Sequence, residues 1–200
     1  MIAYPLDRYI EYNGKRYEVD LAFDNILRMF DLQKEELFTD TEKLDLSLEM
    51  LIGKNSLLVT EKAELFKLIF EQFISTGKGS KSDTKVVDFN QDAPHIYASF
   101  LMDYGIDLVE MQGSLDWRKF IALFQGLSGR TKMREIMTIR SKPLPKPTKY
   151  NQEEIQALQE AKAYYAIKLT EAEAEEAFQK SLDKFADSLA RRAKKAGEKK

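Results

Sequence analysis

Asp92-Ala93-Pro94-His95-Ile96-Tyr97, then Phe100, then Tyr104-Gly105-Ile106-Asp107-Leu108, and after a short break Trp117-Arg118-Lys119-Phe120-Ile121-Ala122-Leu123-Phe124-Gln125-Gly126-Leu127, is the stretch that decides the fold. Its large apolar residues recur at intervals of three and four, which is the period of one helix face. Ile96, Tyr97, Phe100, Leu101 and Tyr104 form one such face, and Gly105 lets the chain turn out of the helix. Trp117, Phe120, Leu123, Phe124 and Leu127 form the next, capped by Ser114 or Asp116 and ended at Gly126 and Gly129. Pro94 falls in the first turn of its helix, where a missing N–H costs nothing. The spacing predicts two packed helices and gives no sign of catalytic chemistry.

Outward from this stretch the same pattern repeats. Thr131 can cap a further helix that turns Met133, Ile136 and Met137 inward. Upstream, Leu65, Phe66, Ile69 and Phe73 line a helix expected to start at a Thr60 cap and to close at Gly77. Thr39 and Glu42 form a capping box before Leu44, Leu48, Leu51 and Ile52, and Gly53 ends that helix. Phe23, Ile26, Leu27 and Phe30 line an earlier one. Residues 8–20 read differently: Tyr9, Ile10, Tyr12, Tyr17 and Val19 are strand formers around Asn13-Gly14, a favoured two-residue hairpin turn. The fold class is therefore mainly α, a helical bundle with a short N-terminal β-hairpin.

Downstream, Pro143, Pro145 and Pro147 make a stiff linker that cannot be helical. The expected division is a hairpin-plus-helical domain over 1–142, a linker over 143–150 and a C-terminal helical arm over 151–200. Asn151 and Glu154 offer a capping box for the arm, and Thr170 with Glu173 a second one at which the helix breaks or kinks. Its acids come first and its bases last, in the order that complements the helix dipole. On it lies a narrow apolar stripe, Phe178, Leu182, Phe185 and Leu189, on an otherwise charged segment. A stripe of that kind must bury against something: the domain, a second copy of the chain, or a partner helix.

The 200 residues are 44% hydrophobic and 32% charged, enough to bury a core without cross-links. A formal net charge of −2 provides no general attraction to nucleic acid or acidic lipid. The absence of cysteine removes disulfides, thiolate catalysis and Cys-type zinc sites. No apolar run reaches the roughly 18 residues of a membrane span, and the start of the chain lacks the features of a signal peptide.

His95 stands alone as the only histidine, short of the ligand set zinc requires and without a cysteine or paired serine to activate. The aspartates, among them Asp24, Asp92, Asp103, Asp107 and Asp116, read as caps and solvated groups. Thr76-Gly77-Lys78-Gly79-Ser80-Lys81-Ser82 is a loop that lacks the first glycine and the preceding strand of a phosphate-binding loop. Trp117, Phe120 and Phe124 have core spacing and lack the basic rim of a base-stacking platform. The basic end from Arg191 is short and reads as a solvated helix end. No catalytic, cofactor or metal site is expected.

The residues Asp92-Ala93-Pro94-x-Ile96-Tyr97-x-x-Phe100, Tyr104-Gly105-Ile106-Asp107-Leu108, Trp117-x-x-Phe120-x-x-Leu123-x-x-Gly126-Leu127 and Ile136-x-x-Ile139-Arg140 resemble the bacteriophage "gene product fifteen" family, found among tail genes of long-tailed phages and prophages of Gram-positive bacteria. The likeness extends over about residues 8–169. The resemblance implies a tail-assembly chaperone in the host cytoplasm, absent from the mature virion. Its partners would be the tape-measure protein and the tail-tube protein, with homo-oligomerisation as a further expectation and no enzymatic site, membrane or nucleic-acid partner. The alternatives are a structural tail component of the virion and a nucleic-acid-binding regulator. The chain departs from the family pattern at Leu115-Asp116 and in the charged segment 170–200, where the lysine pairs Lys194-Lys195 and Lys199-Lys200 would suit a frameshift site.

Overall fold

A computed structural model of the chain describes residues 4–75 and 86–168. Within them the protein is mainly helical, with one two-stranded antiparallel sheet. Strands β1 (Tyr9–Tyr12) and β2 (Lys15–Glu18) pair with Tyr9 opposite Glu18 and Tyr12 opposite Lys15. Asn13 and Gly14 both take positive φ, 50° and 72°, which matches the twist of the two strands. The register puts Ile10 opposite Tyr17, and both are buried, so one face of the hairpin lies on the helices.

Helix α1 (Phe23–Lys34) buries Phe23, Ile26 and Met29 and keeps Leu27 and Phe30 against the core edge. Its buried Asn25 donates to the carbonyls of Asp20 and Met50, which ties α1 to the end of α2 (Asp40–Ile52). The capping box of α2 forms: the Thr39 hydroxyl accepts from the Glu42 N–H at 3.3 Å, and the Glu42 carboxylate accepts from the Thr39 N–H at 2.8 Å. Helix α3 (Val59–Ile69) starts two residues earlier than a Thr60 cap would place it. Leu58 is its N-cap, and the Glu61 carboxylate takes the Leu58 N–H, so the acid supplies half a capping box without a hydroxyl. The helix widens into a π turn at Phe70–Ile74, closed by the Ser75 N–H on the Phe70 carbonyl. Gly77 and the 76–82 loop lie outside the described residues.

Helices α4 (Ala93–Tyr104), α5 (Trp117–Gln125) and α6 (Lys132–Ser141) complete the bundle. Asp116 caps α5 and Thr131 caps α6, each accepting an N–H two or three residues on. Backbone bonds from Phe23 to Leu115 and from Trp117 to Leu21 fasten the starts of α1 and α5 together. The Phe120 ring stacks between Phe23, at 4.9 Å, and Phe100, at 5.2 Å, and also stacks on Trp117. Phe89 sets its ring against Trp117, Phe120 and Phe124. The Trp117 indole N–H finds the Ile74 carbonyl at 3.1 Å, so the buried ring leaves no donor unsatisfied.

The expected faces are confirmed with one exception. Leu101 is 46% exposed. The inward position is taken by Ser99, whose hydroxyl donates to the His95 carbonyl and accepts from the Met133 N–H, so α4 and α6 approach through a small polar residue.

The C-terminal part differs more from expectation. The proline linker is non-helical, as its residues require. Helix α7 (Gln152–Tyr164) follows without the expected capping box. Asn151 instead accepts from the Thr148 N–H and donates to the Lys146 carbonyl, and Glu154 lies 3.5 Å from Lys142. The helix ends at Tyr164, well before the Thr170 break point. Residues 165–168 leave it because their backbone groups are taken by α4 and α6, as described below. The stripe at Phe178, Leu182, Phe185 and Leu189 and the basic end lie outside the described residues.

Phe120→Ala should lower stability by about 3–5 kcal/mol, because it empties the middle of a three-ring stack. Leu101→Ala should change it by less than about 1 kcal/mol, as surface positions do. Urea denaturation followed by far-UV circular dichroism measures both, and a Leu101→Ala loss as large as that of Phe120→Ala would contradict the packing described.

Candidate functional site

The residues that mark this sequence converge on α4 and its two ends. At the N-terminal end, Asp92 and Arg140 meet in the interior, 1% and 8% exposed. A carboxylate or guanidinium taken from water alone is costly, so each needs a full set of partners. They have one. Arg140 gives Nη1 and Nη2 to the two Asp92 oxygens at 2.6 and 2.8 Å, Nη1 again to the Val86 carbonyl at 3.0 Å, and Nε to the Tyr165 carbonyl at 2.6 Å. The Asp88 N–H also donates to Asp92. The planar fork of arginine suits this arrangement, which a lysine could not reproduce. Around it, Lys162 donates to the Arg140 carbonyl, and the Gln91 amide bonds both the Ala166 carbonyl and the Lys168 N–H. One ion pair thus joins the chain before α4, α4 itself, α6 and the segment after α7.

At the C-terminal end, Gly105 adopts a left-handed conformation and the Ile106 N–H returns to the Phe100 carbonyl. Asp107 then organises the turn. It accepts the Tyr97 hydroxyl at 2.9 Å and the N–H groups of Val109 and Glu110. The Tyr97 hydrogen bond, helped by those two N–H groups against the desolvation of the site, holds the Asp107 carboxyl below the usual carboxylate range. The same bond raises the Tyr97 phenol above its ordinary value. Tyr104 donates to the Leu123 carbonyl at 2.9 Å. Its hydroxyl lies so near Gly126 that a Cβ there would come within 3.1 Å of it, so the glycine is needed for the approach of α4 to α5. Asp103 accepts both the N–H and the hydroxyl of Ser128.

The signature residues therefore have framework roles. Ile96, Phe100, Trp117 and Phe120 are core, while Tyr97, Tyr104 and Leu123 pack at its edge. Asp107 and Arg140 hold turns and neighbouring elements, and Pro94 opens α4. Asp92 is corrected from a solvated cap to a buried ion-pair partner, because Arg140 reaches it from 48 positions away. The clue was Arg140 itself, which follows Met133, Ile136 and Met137 on one helix face: a cation on an apolar stripe needs a buried anion. Asp103, Ser99 and Phe89 carried no such local signal. His95 is half-buried in the first turn of α4. Among the described residues no three His, Asp or Glu side chains converge as a metal-binding group, and no helix is long and apolar enough to cross a membrane.

The surface of the described residues has several concavities. One, about 640 Å³, is polar and lies among Arg8, Glu18, Asp20, Glu49 and Asp116, at the C-terminal end of α2. A second, about 280 Å³, lies beside Phe73, Ile74, Trp117 and Ile121. A third, about 190 Å³, is apolar and opens between α1, α4 and the Asp107 turn. Phe23, Leu27, Ala93, Tyr97, Leu108 and Val109 are among its walls.

A family model described as bacteriophage Gp15 protein matches residues 5–167. No curated protein and no solved structure matches the chain.

Arg140→Ala should cost about 3–5 kcal/mol, since it strands Asp92 in the interior. The double variant with Asp92→Ala should cost less than the sum of the two single changes. Denaturation of the four proteins completes the cycle, and hydrogen exchange should quicken at residues 165–168 in Arg140→Ala. Tyr97→Phe should raise the Asp107 pKa, read by carboxyl NMR. A depressed carboxyl contributes stability above the ordinary carboxylate range and loses it as pH falls through the depressed value, so the variant should be less stable near neutral pH and the gap to the parent should narrow as pH falls through that value.

Proposed function

The chain belongs to the bacteriophage Gp15 family, and from that membership we propose that it is a tail-assembly chaperone that holds the tape-measure protein and helps recruit tail-tube subunits. The observation that carries the reading is the match itself, which runs from the hairpin through α7 and so takes in nearly every described residue. The internal chemistry is consistent with a binding protein. The polar side chains at the two ends of α4 are engaged with one another and with backbone groups, where they hold the fold. On the surface, Leu101, Met102 and Val109 stay exposed along α4 and the turn after it. The sequence adds the Phe178, Leu182, Phe185 and Leu189 stripe, an apolar seam suited to lying along another helix.

On this reading the protein works in the host cytoplasm, does no covalent chemistry and needs no cofactor. It binds the tape-measure protein while that chain is long, helical and prone to aggregate, and departs as the tube forms. More than one copy would act on each tape measure, since one small domain covers only a short length of it.

Co-expression with the tape-measure protein of the same phage should increase the soluble yield of that protein and recover the two together on an affinity column. The absence of both effects would overturn the proposal, and so would stoichiometric amounts of this chain in purified virions, which would make it a structural tail component. Phe178→Asp with Phe185→Asp should leave the domain folded, read by far-UV circular dichroism, and reduce co-purification. Unfolding of the whole protein by that pair would instead make the stripe part of the core.

A further inference from the structure

The described chain ends beside the apolar cleft. Gln91 holds the Lys168 N–H at 2.8 Å, and Gln91 stands two residues before Ala93, the first residue of α4 and one wall of the cleft. Ile96 and Tyr97, one turn along α4, form more of that wall. The segment from residue 169 onward therefore departs next to an opening of about 190 Å³ lined by Phe23, Leu27 and Leu108, with Val109 left 64% exposed at its edge.

We propose that this cleft is the seat of the chain's own C-terminal segment, with Phe178 as the ring that fills it. Three features select that occupant. The first is reach: residues 169–177 separate Lys168 from Phe178, a tether of up to roughly 30 Å extended and about 14 Å helical. Either length reaches a cleft that begins two residues from the anchor at Gln91. The second is size: the opening accommodates one large aromatic side chain, and Phe178 is the first phenylalanine after Lys168. The third is the neighbourhood of the ring in sequence. Ala174 and Ser181, four before and three after Phe178, would lie on its side of a helix. Small residues there let the segment approach a surface closely. The cleft in turn offers an apolar floor, while the polar cavity near α2 is lined by Glu18, Asp20 and Glu49, which suits no phenyl ring.

Docking in this way would bury the first ring of the apolar stripe in an isolated chain and keep that ring from pairing with other copies. The contact is internal to one chain and does not depend on which partner the protein serves, so its failure and that of the chaperone reading are separate results.

The chain has no cysteine, so Lys180→Cys, two positions from Phe178 and on the opposite side of a helix, gives a unique site for a nitroxide spin label on the full-length protein. With label and isotope on the same molecule, diluted in excess unlabelled chain, the amides of Ala93, Tyr97 and Val109 should lose most of their NMR intensity. The amide of Leu37, at the other end of α1, should keep its own. Adding Phe178→Ser should restore the cleft signals without moving the rest of the spectrum. Broadening seen only when label and isotope are on different molecules would assign the cleft to a second copy. Unbroadened cleft amides, or broadening that persists in Phe178→Ser, would overturn the proposal.

Discussion

The stack of Phe120 between Phe23 and Phe100 is the contact on which the rest of the domain depends. Each ring comes from a different helix, so the stack fixes α1, α4 and α5 against one another at a single point. Around it Trp117, Phe124 and Phe89 fill the remaining directions, and the indole N–H is satisfied by the carbonyl of a π turn. Interiors pack at the density of organic crystals. A flat three-ring sandwich therefore leaves little freedom in where the helices sit, and the backbone bonds between Leu21, Phe23, Leu115 and Trp117 follow from that placement.

The second constraint is electrostatic. Burying Asp92 and Arg140 together gains little over an apolar pair of similar size, because desolvation offsets most of the attraction. Its effect is on specificity of arrangement. Once the guanidinium is inside, its remaining N–H groups need acceptors, and the carbonyls of Val86 and Tyr165 are the ones within reach. The need to satisfy a buried cation thus draws the chain after α7 back onto α4 and α6, and α7 stops at Tyr164 although its sequence could continue as helix.

Much of this was legible in local sequence. The hairpin follows from Asn13-Gly14 between strand formers, the α2 start from Thr39 and Glu42, and the faces of α1, α5 and α6 from their apolar period. The family was legible for the same reason: its signature is made of residues that set turns and pack helices, and those roles leave fixed spacings. Where reading failed, the partner was distant in sequence. Leu101, expected inward, faces out, while Ser99 sits against α6 with its hydroxyl bonded to the Met133 N–H, 34 positions away. Asn151 did not cap α7 because the proline linker presented a nearer carbonyl and N–H.

The sequence by itself determined the helical class, the hairpin, the caps of α2 and α6 and the family, because each is set by groups within a turn or two of one another. Only the tertiary structure decided that Asp92 is buried, that Arg140 holds the end of α7, and that the segment after Lys168 departs beside an apolar cleft. Those outcomes rest on hydrogen bonds between groups 25 to 77 positions apart. The energy of such contacts depends on a burial that no local pattern encodes.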